Sequence, residues 1–171
     1  MVRRLRGRPV KKLTQKRLKE VVSYNPETGI FINLKSRGRA KIGTRAGSEG
    51  KVILYRYIAI DKCLYAEHRL AFLYVLGRFP DPEVDHINGK GNDNRWANLR
   101  EATRVQNLAN SIGRRDDQLK GTYQLKSGRW QGRFYHAGKH YQLGNFATAG
   151  EAHEAYKKKA KEVHGTFAKY Q

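Results

Sequence analysis

The sequence predicts an α+β protein built from two small domains, with short antiparallel sheets and short helices. The chain has 171 residues, which suits one ordinary domain or two small ones. Its apolar residues fall in short runs separated by turns rich in Gly, Asn and Asp, as in antiparallel sheets. Threonine caps at 103 and 148 begin helical patterns directly after such runs. The expected boundaries are 1–110, a linker at 111–119, and 120–171.

The composition favours a polyanionic partner. Lys and Arg number 35 against 15 Asp and Glu, a net charge of +20, so binding should weaken steeply as salt rises. The single cysteine, Cys63, excludes an intrachain disulfide and a multi-cysteine zinc site. The longest apolar run, Leu70–Leu76, is far shorter than the roughly 20 residues that span a bilayer. We therefore expect a soluble, cytoplasmic protein without a membrane partner.

The first hundred residues alternate between short helices and strands. Residues 1–12 are basic without an acid, which is typical of a solvated arm, either inert or phosphate-binding. The elements predicted after the arm are a helix capped by Thr14 and running to Val22, a turn at 25–29, a strand Ile30–Leu34, a loop at 35–51, a hairpin of Val52–Ile60 with Cys63–Ala66, and a helix His68–Leu76. For His68, packing against its helix is the favoured role, and approach to a phosphate is the alternative.

A ββα unit is predicted at about 84–110. Its parts are a strand Val84–Ile87, a polar loop at 88–97, a strand Leu99–Ala102, and a helix that begins at the Thr103/Gln106 capping box and runs to about Ala109. Asn107 lies on this helix, so the unit can bring its amide over Asp85. A carboxylate, a neutral imidazole and amide oxygens are what a metal-assisted phosphodiester hydrolase needs.

Residues 84–110 resemble the HNH homing endonucleases, in the His-Asn-Asn variant found mostly in phages and phage introns. The resemblance is carried by Val84–Gly89, Asp93–Arg95, Asn98–Arg100 and Gln106–Asn107, and it extends to Ala66–Ala71 and to the region Leu18–Gly29. It implies a ββα-metal nuclease core with N-terminal β-hairpin elements. It also implies a site-specific DNA endonuclease acting in the cytoplasm of a phage-infected bacterium.

The resemblance implies a role for each residue of the motif. Asp85 and Asn107 would hold one divalent cation per active site, and hard oxygen ligands suit Mg²⁺ or Mn²⁺. His86 would be the general base, and Asn98 would hold the hairpin and orient His86. Many relatives have histidine in place of Asn107, and an amide is a weaker ligand, which leaves the metal preference open.

The implied reaction is hydrolysis of a phosphodiester bond by a water that His86 activates. Arg95 or Arg100 would clamp a neighbouring phosphate. One motif per chain means one active centre, so a monomer on double-stranded DNA is expected to nick one strand.

A second unit is predicted at 120–171, with three antiparallel strands followed by a helix. The strands are expected at Gly121–Leu125, Arg129–His136 and Lys139–Phe146. Thr148 with Glu151 caps the helix. The helix has apolar residues at i, i+3/i+4 spacing, so one of its sides can lie on the sheet. Strand alternation points Trp130, Phe134, Tyr141 and Leu143 toward the helix, where they are expected to form the core.

This unit resembles the ethylene-response-factor (APETALA-class) DNA-binding domain of plants, which also occurs fused to phage HNH nucleases. The residues that carry the resemblance are Gly121–Tyr123, Gly128–Trp130, Leu143–Phe146, Thr148–Ala149, Glu151–Ala152, Ala155–Tyr156 and Gly165. That family reads the DNA major groove with its sheet. The polar sheet face expected to do so here consists of Lys120, Tyr123, Gln131, Arg133, Tyr135, His140 and Gln142. An ordinary solvated sheet surface is the alternative.

The sequence therefore predicts a divalent-metal-dependent DNA endonuclease of the HNH homing type. A non-catalytic DNA-binding regulator that inherited both modules is the first rival. The motif is complete, which argues against this rival. An RNA-binding protein with a structural Asn/Asp loop is the second rival.

Overall fold

The computed structural model describes residues 3–4, 12–50, 55–110 and 119–169. Its helices and small antiparallel sheets confirm the predicted α+β class. The chain divides into two compact units, Met1–Glu101 and Ala102–Gln171. Most of the expected linker and the first residues of the expected strand at 52–60 lie outside the described part of the chain.

The first unit contains three small sheets and two helices within its described residues. Its helices are α1 (Gln15–Val21) and α2 (Glu67–Leu76), with a short 3₁₀ helix at Trp96–Asn98. Its strands are β1 (Arg3–Arg4), β2 (Val22–Asn25), β3 (Ile30–Asn33), β4 (Ser48–Glu49), β5 (Arg56–Ile60), β6 (Cys63–Ala66), β7 (Glu83–His86) and β8 (Leu99–Ala102). The sheets have the orders β1-β6-β5-β4, β2-β3 and β7-β8.

The predicted helix at the start of this unit ends earlier than expected. Thr14 caps α1 by accepting a hydrogen bond from the backbone N–H of Arg17. Val22 already belongs to β2, which pairs with β3 in antiparallel register and places Asn25 opposite Ile30. The side chains of Val22 and Tyr24 are buried while Ser23 and Asn25 are more exposed, which is the two-residue period of a strand.

One apolar core holds the first unit together. Tyr24 stacks on Phe31 with ring centroids 4.5 Å apart, and the edge of Tyr74 meets both rings. The fully buried apolar side chains in this core come from both helices and from the paired strands, and the largest are Phe31, Leu18, Ile58, Ile60 and Leu70. This core fixes the strands and α2 against which the polar residues described below are placed.

The second unit consists of two helices and a three-stranded sheet among its described residues. α3 (Arg104–Ala109) and α4 (Ala149–His164) each begin with the predicted capping box. The sheet has the order β11-β10-β9, formed by β9 (Thr122–Gln124), β10 (Trp130–His136) and β11 (Lys139–Phe146). A 3₁₀ turn at Gly165–Phe167 follows α4.

The core of the second unit is smaller than the sequence predicts. Phe134 from β10 packs with Tyr156 and Ala160 from α4, as expected for the side of the sheet that faces the helix. Trp130 is only half-buried, and Tyr141 has 41% of its surface exposed. The expectation that both belong to the core is therefore wrong. The pairing of β10 with β11 shifts its register between Gly132 and Arg133, an irregularity that strand alternation alone does not reveal.

Within the part of the chain that the structure describes, no helix combines the length and apolar character required to cross a membrane.

Candidate active site

His86 is the last residue of β7, and its side chain is almost completely buried. The imidazole is 5% exposed. Tyr55 stacks on it with ring centroids 5.7 Å apart, and His68 meets it edge-on at 5.2 Å. Its Nε2 lies 3.2 Å from Oδ1 of Asn94. Burial lowers the pKa of His86, while the contact with Asn94 and the nearby Asp85 oppose this shift. The neutral form, which a general base requires, is thus favoured near neutral pH.

Asn98 ties together the polar loop that follows His86. Its Oδ1 accepts from the backbone N–H of Asn88 at 3.0 Å, and its Nδ2 donates to Oδ1 of Asn88 at 3.0 Å. The same Nδ2 donates to the backbone oxygen of Asp93 at 2.8 Å. The backbone oxygen of Asn98 accepts from Ile87, the residue next to His86. This geometry supports the loop-holding role expected for Asn98.

Behind His86 lies a buried chain of polar groups that sequence reasoning missed. Nδ2 of Asn94 donates to Oε2 of Glu67 at 3.1 Å, and Nε of Arg56 donates to Oε1 of Glu67 at 3.3 Å. Glu67 is 0% exposed and Asn94 is 2% exposed. Burial raises the pKa of Glu67, and the positive charges of Arg56 and Arg45 act against that change. The chain links His86 to a buried ion pair.

The backbone at Asn94 is held by the β2-β3 hairpin. The hydroxyl of Tyr24 donates to the backbone oxygen of Asn94 at 2.7 Å, and the N–H of Trp96 donates to the oxygen of Pro26 at 2.8 Å. Gly29 has φ +71°, and a Cβ there would lie 2.4 Å from backbone atoms of Asn94 and Arg95. The hairpin therefore sets the position of the loop residue that faces His86.

The ring of His68 lies beside His86 rather than against the rest of its own helix. Its ring lies edge-on to Tyr55 at 5.0 Å and to His86 at 5.2 Å. Its Nδ1 is buried without a hydrogen-bond partner among the described residues. Burial, reinforced by the nearby His86, lowers the pKa of His68 to about 3. The side chain of His68 is consequently uncharged near neutral pH and lines the pocket around His86.

Asp85, the expected carboxylate ligand, is 3% exposed and is paired with an arginine. Nε of Arg100 donates to its Oδ2 at 2.7 Å. Arg100 therefore contacts the carboxylate itself, whereas the sequence placed it on a neighbouring phosphate. Arg95 contacts Asp93 through two hydrogen bonds of 2.9 and 2.7 Å, and this contact lowers the pKa of Asp93 to about 2.

The donor groups of the proposed metal site fit a hard divalent cation. Asp85 offers a carboxylate oxygen and Asn107 an amide oxygen, which are hard donors of the kind that Mg²⁺ and Mn²⁺ prefer, although Arg100 already pairs with one oxygen of Asp85. Asn107 lies on α3 in the second compact unit, while Asp85 belongs to the first. Within the described residues, no group of three or more His, Cys, Asp or Glu side chains could hold a metal.

The polar sheet face of the second unit is largely open to solvent. Arg133 places its guanidinium 3.9 Å from the ring centroid of Tyr123, and its Nε donates to Oε1 of Gln131 at 2.6 Å. Tyr135 is 59% exposed, and its ring contacts that of His140 at 4.8 Å across the strand pair. Gln142, opposite Arg133 in the register, is exposed on β11.

Two residues expected on this face are placed differently. Nζ of Lys120 donates to the backbone oxygens of Ala109 at 2.9 Å and Lys169 at 3.4 Å, and burial lowers its pKa. Its ammonium therefore joins parts of the second unit internally. Gln131 is 7% exposed, because Arg133 and Asn145 cover its amide.

Comparison with known proteins points to the same segment. Residues 65–109 match a family model described as HNH endonuclease. This segment includes α2, the β7-β8 pair, the polar loop and α3. Neither the comparison with curated proteins nor the comparison with solved structures finds a match. The family match supports an HNH nuclease at residues 65–109.

Proposed function

We propose that this protein is a site-specific, divalent-metal-dependent DNA endonuclease of the HNH homing type that nicks one strand of its target. The observation that carries the proposal is the buried pair of Asp85 and His86 inside the segment that matches the HNH endonuclease family. A buried carboxylate beside a neutral imidazole can hold a metal and accept a proton from the attacking water.

His86 acts as the general base in this proposal. Its neutral imidazole takes a proton from the water that attacks the scissile phosphate in line. Tyr55 and His68 hold the plane of the ring, and Asn98 holds the loop. Asp85 and Asn107 would supply carboxylate and amide oxygens to one Mg²⁺ or Mn²⁺. When bound, such a cation would supply stabilisation of the negative charge that develops on the phosphate and the leaving group.

Double-stranded DNA is the proposed substrate, bound as a target by the second unit. The net charge of +20 favours a polyanion. The exposed Tyr123, Arg133, Tyr135, His140 and Gln142 present a polar and aromatic surface of the kind that contacts base edges and phosphates. We propose that residues 120–171 act as an ethylene-response-factor-type DNA-binding domain. Exposed Arg95 remains available at the rim of the nuclease loop, although it also contacts Asp93.

The test is a plasmid assay with supercoiled DNA, either Mg²⁺ or Mn²⁺, and parallel samples with EDTA. Wild type should convert the plasmid to open circle only with metal, and His86→Ala should lose about 10²–10⁴ in rate while still shifting DNA in a gel. His164→Ala, a histidine of the second unit outside the polar sheet face, is the matched control and should cut like wild type.

Other outcomes would decide against the proposal. DNA that is shifted but uncut under every metal condition would favour the non-catalytic regulator. Tighter binding of RNA than of duplex DNA at matched salt would favour the RNA-binding alternative. Cleavage by His86→Ala at the wild-type rate would show that His86 is not the general base.

A further inference from the structure

We propose that Glu67 is a positioning residue for His86, acting through the side-chain amide of Asn94. The inference deepens the proposed nuclease function and rests on it for its catalytic meaning. Its structural basis is the unbroken sequence of contacts Arg56–Glu67–Asn94–His86, which lies entirely in the first unit.

The direction of each hydrogen bond follows from donor and acceptor chemistry. The Glu67 carboxylate can only accept: Oε1 accepts from Nε of Arg56, and Oε2 accepts from Asn94. The NH₂ group of Asn94 must therefore face Glu67, which turns its oxygen toward His86. Because an amide oxygen only accepts, Nε2 of His86 carries the proton in this contact. The lone pair of the neutral ring is then on Nδ1.

Burial makes this orientation strict. Asn94 and Glu67 are 2% and 0% exposed, so water does not offer alternative partners. A reversed Asn94 would direct its oxygen at the carboxylate and its NH₂ at Nε2 of His86. That arrangement leaves buried groups unsatisfied, typically at about 1–3 kcal/mol each. The amide of Asn94 has one favourable orientation as long as Glu67 is ionised.

The surroundings of Glu67 are built to accept its buried charge. Arg56 donates to Glu67 and also to the backbone oxygen of Gly47, at 3.2 Å. A Cβ on Gly47 would lie 2.5 Å from Oε1 of Glu67 and 2.7 Å from the backbone oxygen of Tyr57, so only glycine leaves room for the carboxylate. A buried charge is costly to keep unless it is paired. Gly47 leaves the space for the carboxylate of Glu67, and Arg56 supplies the opposite charge.

A purely structural role for Glu67 has a different consequence. Glu67 is the first residue of α2, where an acid favours the helix dipole. That role predicts a change in stability alone, whereas the positioning role predicts a change in turnover that depends on hydrogen-bond direction. Exchanging the carboxylate at position 67 and the amide at position 94 separates the structural role from the positioning role.

The decisive variants are Asn94→Asp and the double variant Glu67→Gln/Asn94→Asp. Asn94→Asp places two carboxylates against each other, and we expect its kcat for plasmid nicking to fall ~100-fold, the scale of a misplacement near 1 Å. In the double variant, glutamine at 67 can accept from Arg56 and donate to aspartate at 94, which accepts from His86. We expect kcat to return to within about tenfold of wild type, with KM unchanged throughout. Glu20→Gln, at an exposed acid paired with Arg17, is the control and should leave kcat unchanged.

The tautomer of His86 gives a readout that needs no cleavage. In long-range ¹H–¹⁵N spectra of the full chain at neutral pH, assigned with His86→Ala, wild type and the double variant should show the Nε2–H form. Asn94→Asp should show a different pattern. If wild type shows the Nε2–H form but no metal-dependent cleavage, the nuclease function fails while the positioning contact stands. An Nδ1–H form in wild type, or a double variant as slow as Asn94→Asp, would overturn the inference.

Discussion

The pocket around His86 and the polar sheet face of the second unit both carry proposed functional residues, yet they are built in opposite ways. His86 and Asn94 are 5% and 2% exposed, and their polar atoms contact defined partners. On the sheet face, Tyr123 and Tyr135 are 49% and 59% exposed. The side chains of the first region are buried and held by hydrogen bonds, whereas those of the second are exposed to solvent.

The difference follows from what each region is proposed to do. Catalysis gains from groups that are already oriented, since reorganisation during the reaction then adds little to the barrier. In a buried site, orientation comes from hydrogen bonds that cannot exchange with water. A surface that reads DNA must stay accessible, and the pleat of its strands sets which side chains project. Its side chains therefore have weaker contacts with one another, such as Arg133 over Tyr123.

The largest expected effect is a pH dependence of stability that arises from the buried histidines around His86. The pKa of His68 is lowered to about 3, first by burial and then by His86, from an ordinary value near 6.5. Between these values the unfolded chain binds a proton that the folded chain does not. The free energy of unfolding should therefore be highest above pH ~6.5. It should decrease as the pH is lowered toward 3, by up to ~5 kcal/mol from this group.

Denaturant unfolding of wild type and His68→Phe between pH 7.5 and pH 4 checks this expectation. Phenylalanine keeps a ring against Tyr55 but cannot titrate, so the dependence on pH should flatten. His86, whose pKa is also lowered, contributes a residual dependence of the same sign. His140→Phe, on the exposed sheet face, is the control and should keep the wild-type profile. An unchanged slope in His68→Phe would place the titrating group elsewhere.

A second expected effect concerns the room that the buried carboxylate needs. Gly47 and Gly43 have the same φ of +77°, but a Cβ on Gly43 has nothing within 4 Å, while a Cβ on Gly47 meets Glu67 and Tyr57. Gly43→Ala should cost about 1–2 kcal/mol from the left-handed backbone alone. Gly47→Ala should add a further ~1–3 kcal/mol of overpacking. Thermal unfolding of both variants measures the difference, and equal losses would show that Glu67 is not confined.

The sequence predicted the fold better than it predicted the environment of the site. Capping boxes at Thr103 and Thr148 involve residues only three positions apart, and both were found. The strand at Val22–Asn25 was missed because the helical spacing of Leu18 and Val21 runs directly into it. A local sequence pattern predicts a structure correctly when the residues that interact in it are close together in the sequence.

The contacts that orient His86 join distant residues, so no local pattern reveals them. Glu67 before an apolar helix suggests a favourable dipole, and Asn94 in an Asn/Asp-rich loop suggests a turn. Their contact spans 27 positions. Lys120 has the same explanation, since its partner carbonyls at Ala109 and Lys169 are 11 and 49 positions away. A basic residue beside a strand then looks like a phosphate ligand.

The smallest expected effect probes the open region through Arg133. If its guanidinium makes two hydrogen bonds to a guanine, Arg133→Ala should weaken binding to a duplex spanning the mapped cleavage site by about 1–3 kcal/mol. Arg133→Lys keeps the charge but not the planar fork, so it should lose most of that specific affinity while binding a scrambled duplex almost as wild type does. Fluorescence anisotropy at two salt concentrations separates these terms, because a phosphate contact changes the salt slope equally for both duplexes. Equal losses on both duplexes would make Arg133 a phosphate contact, and the reading of sequence would then fall to other residues of the sheet face.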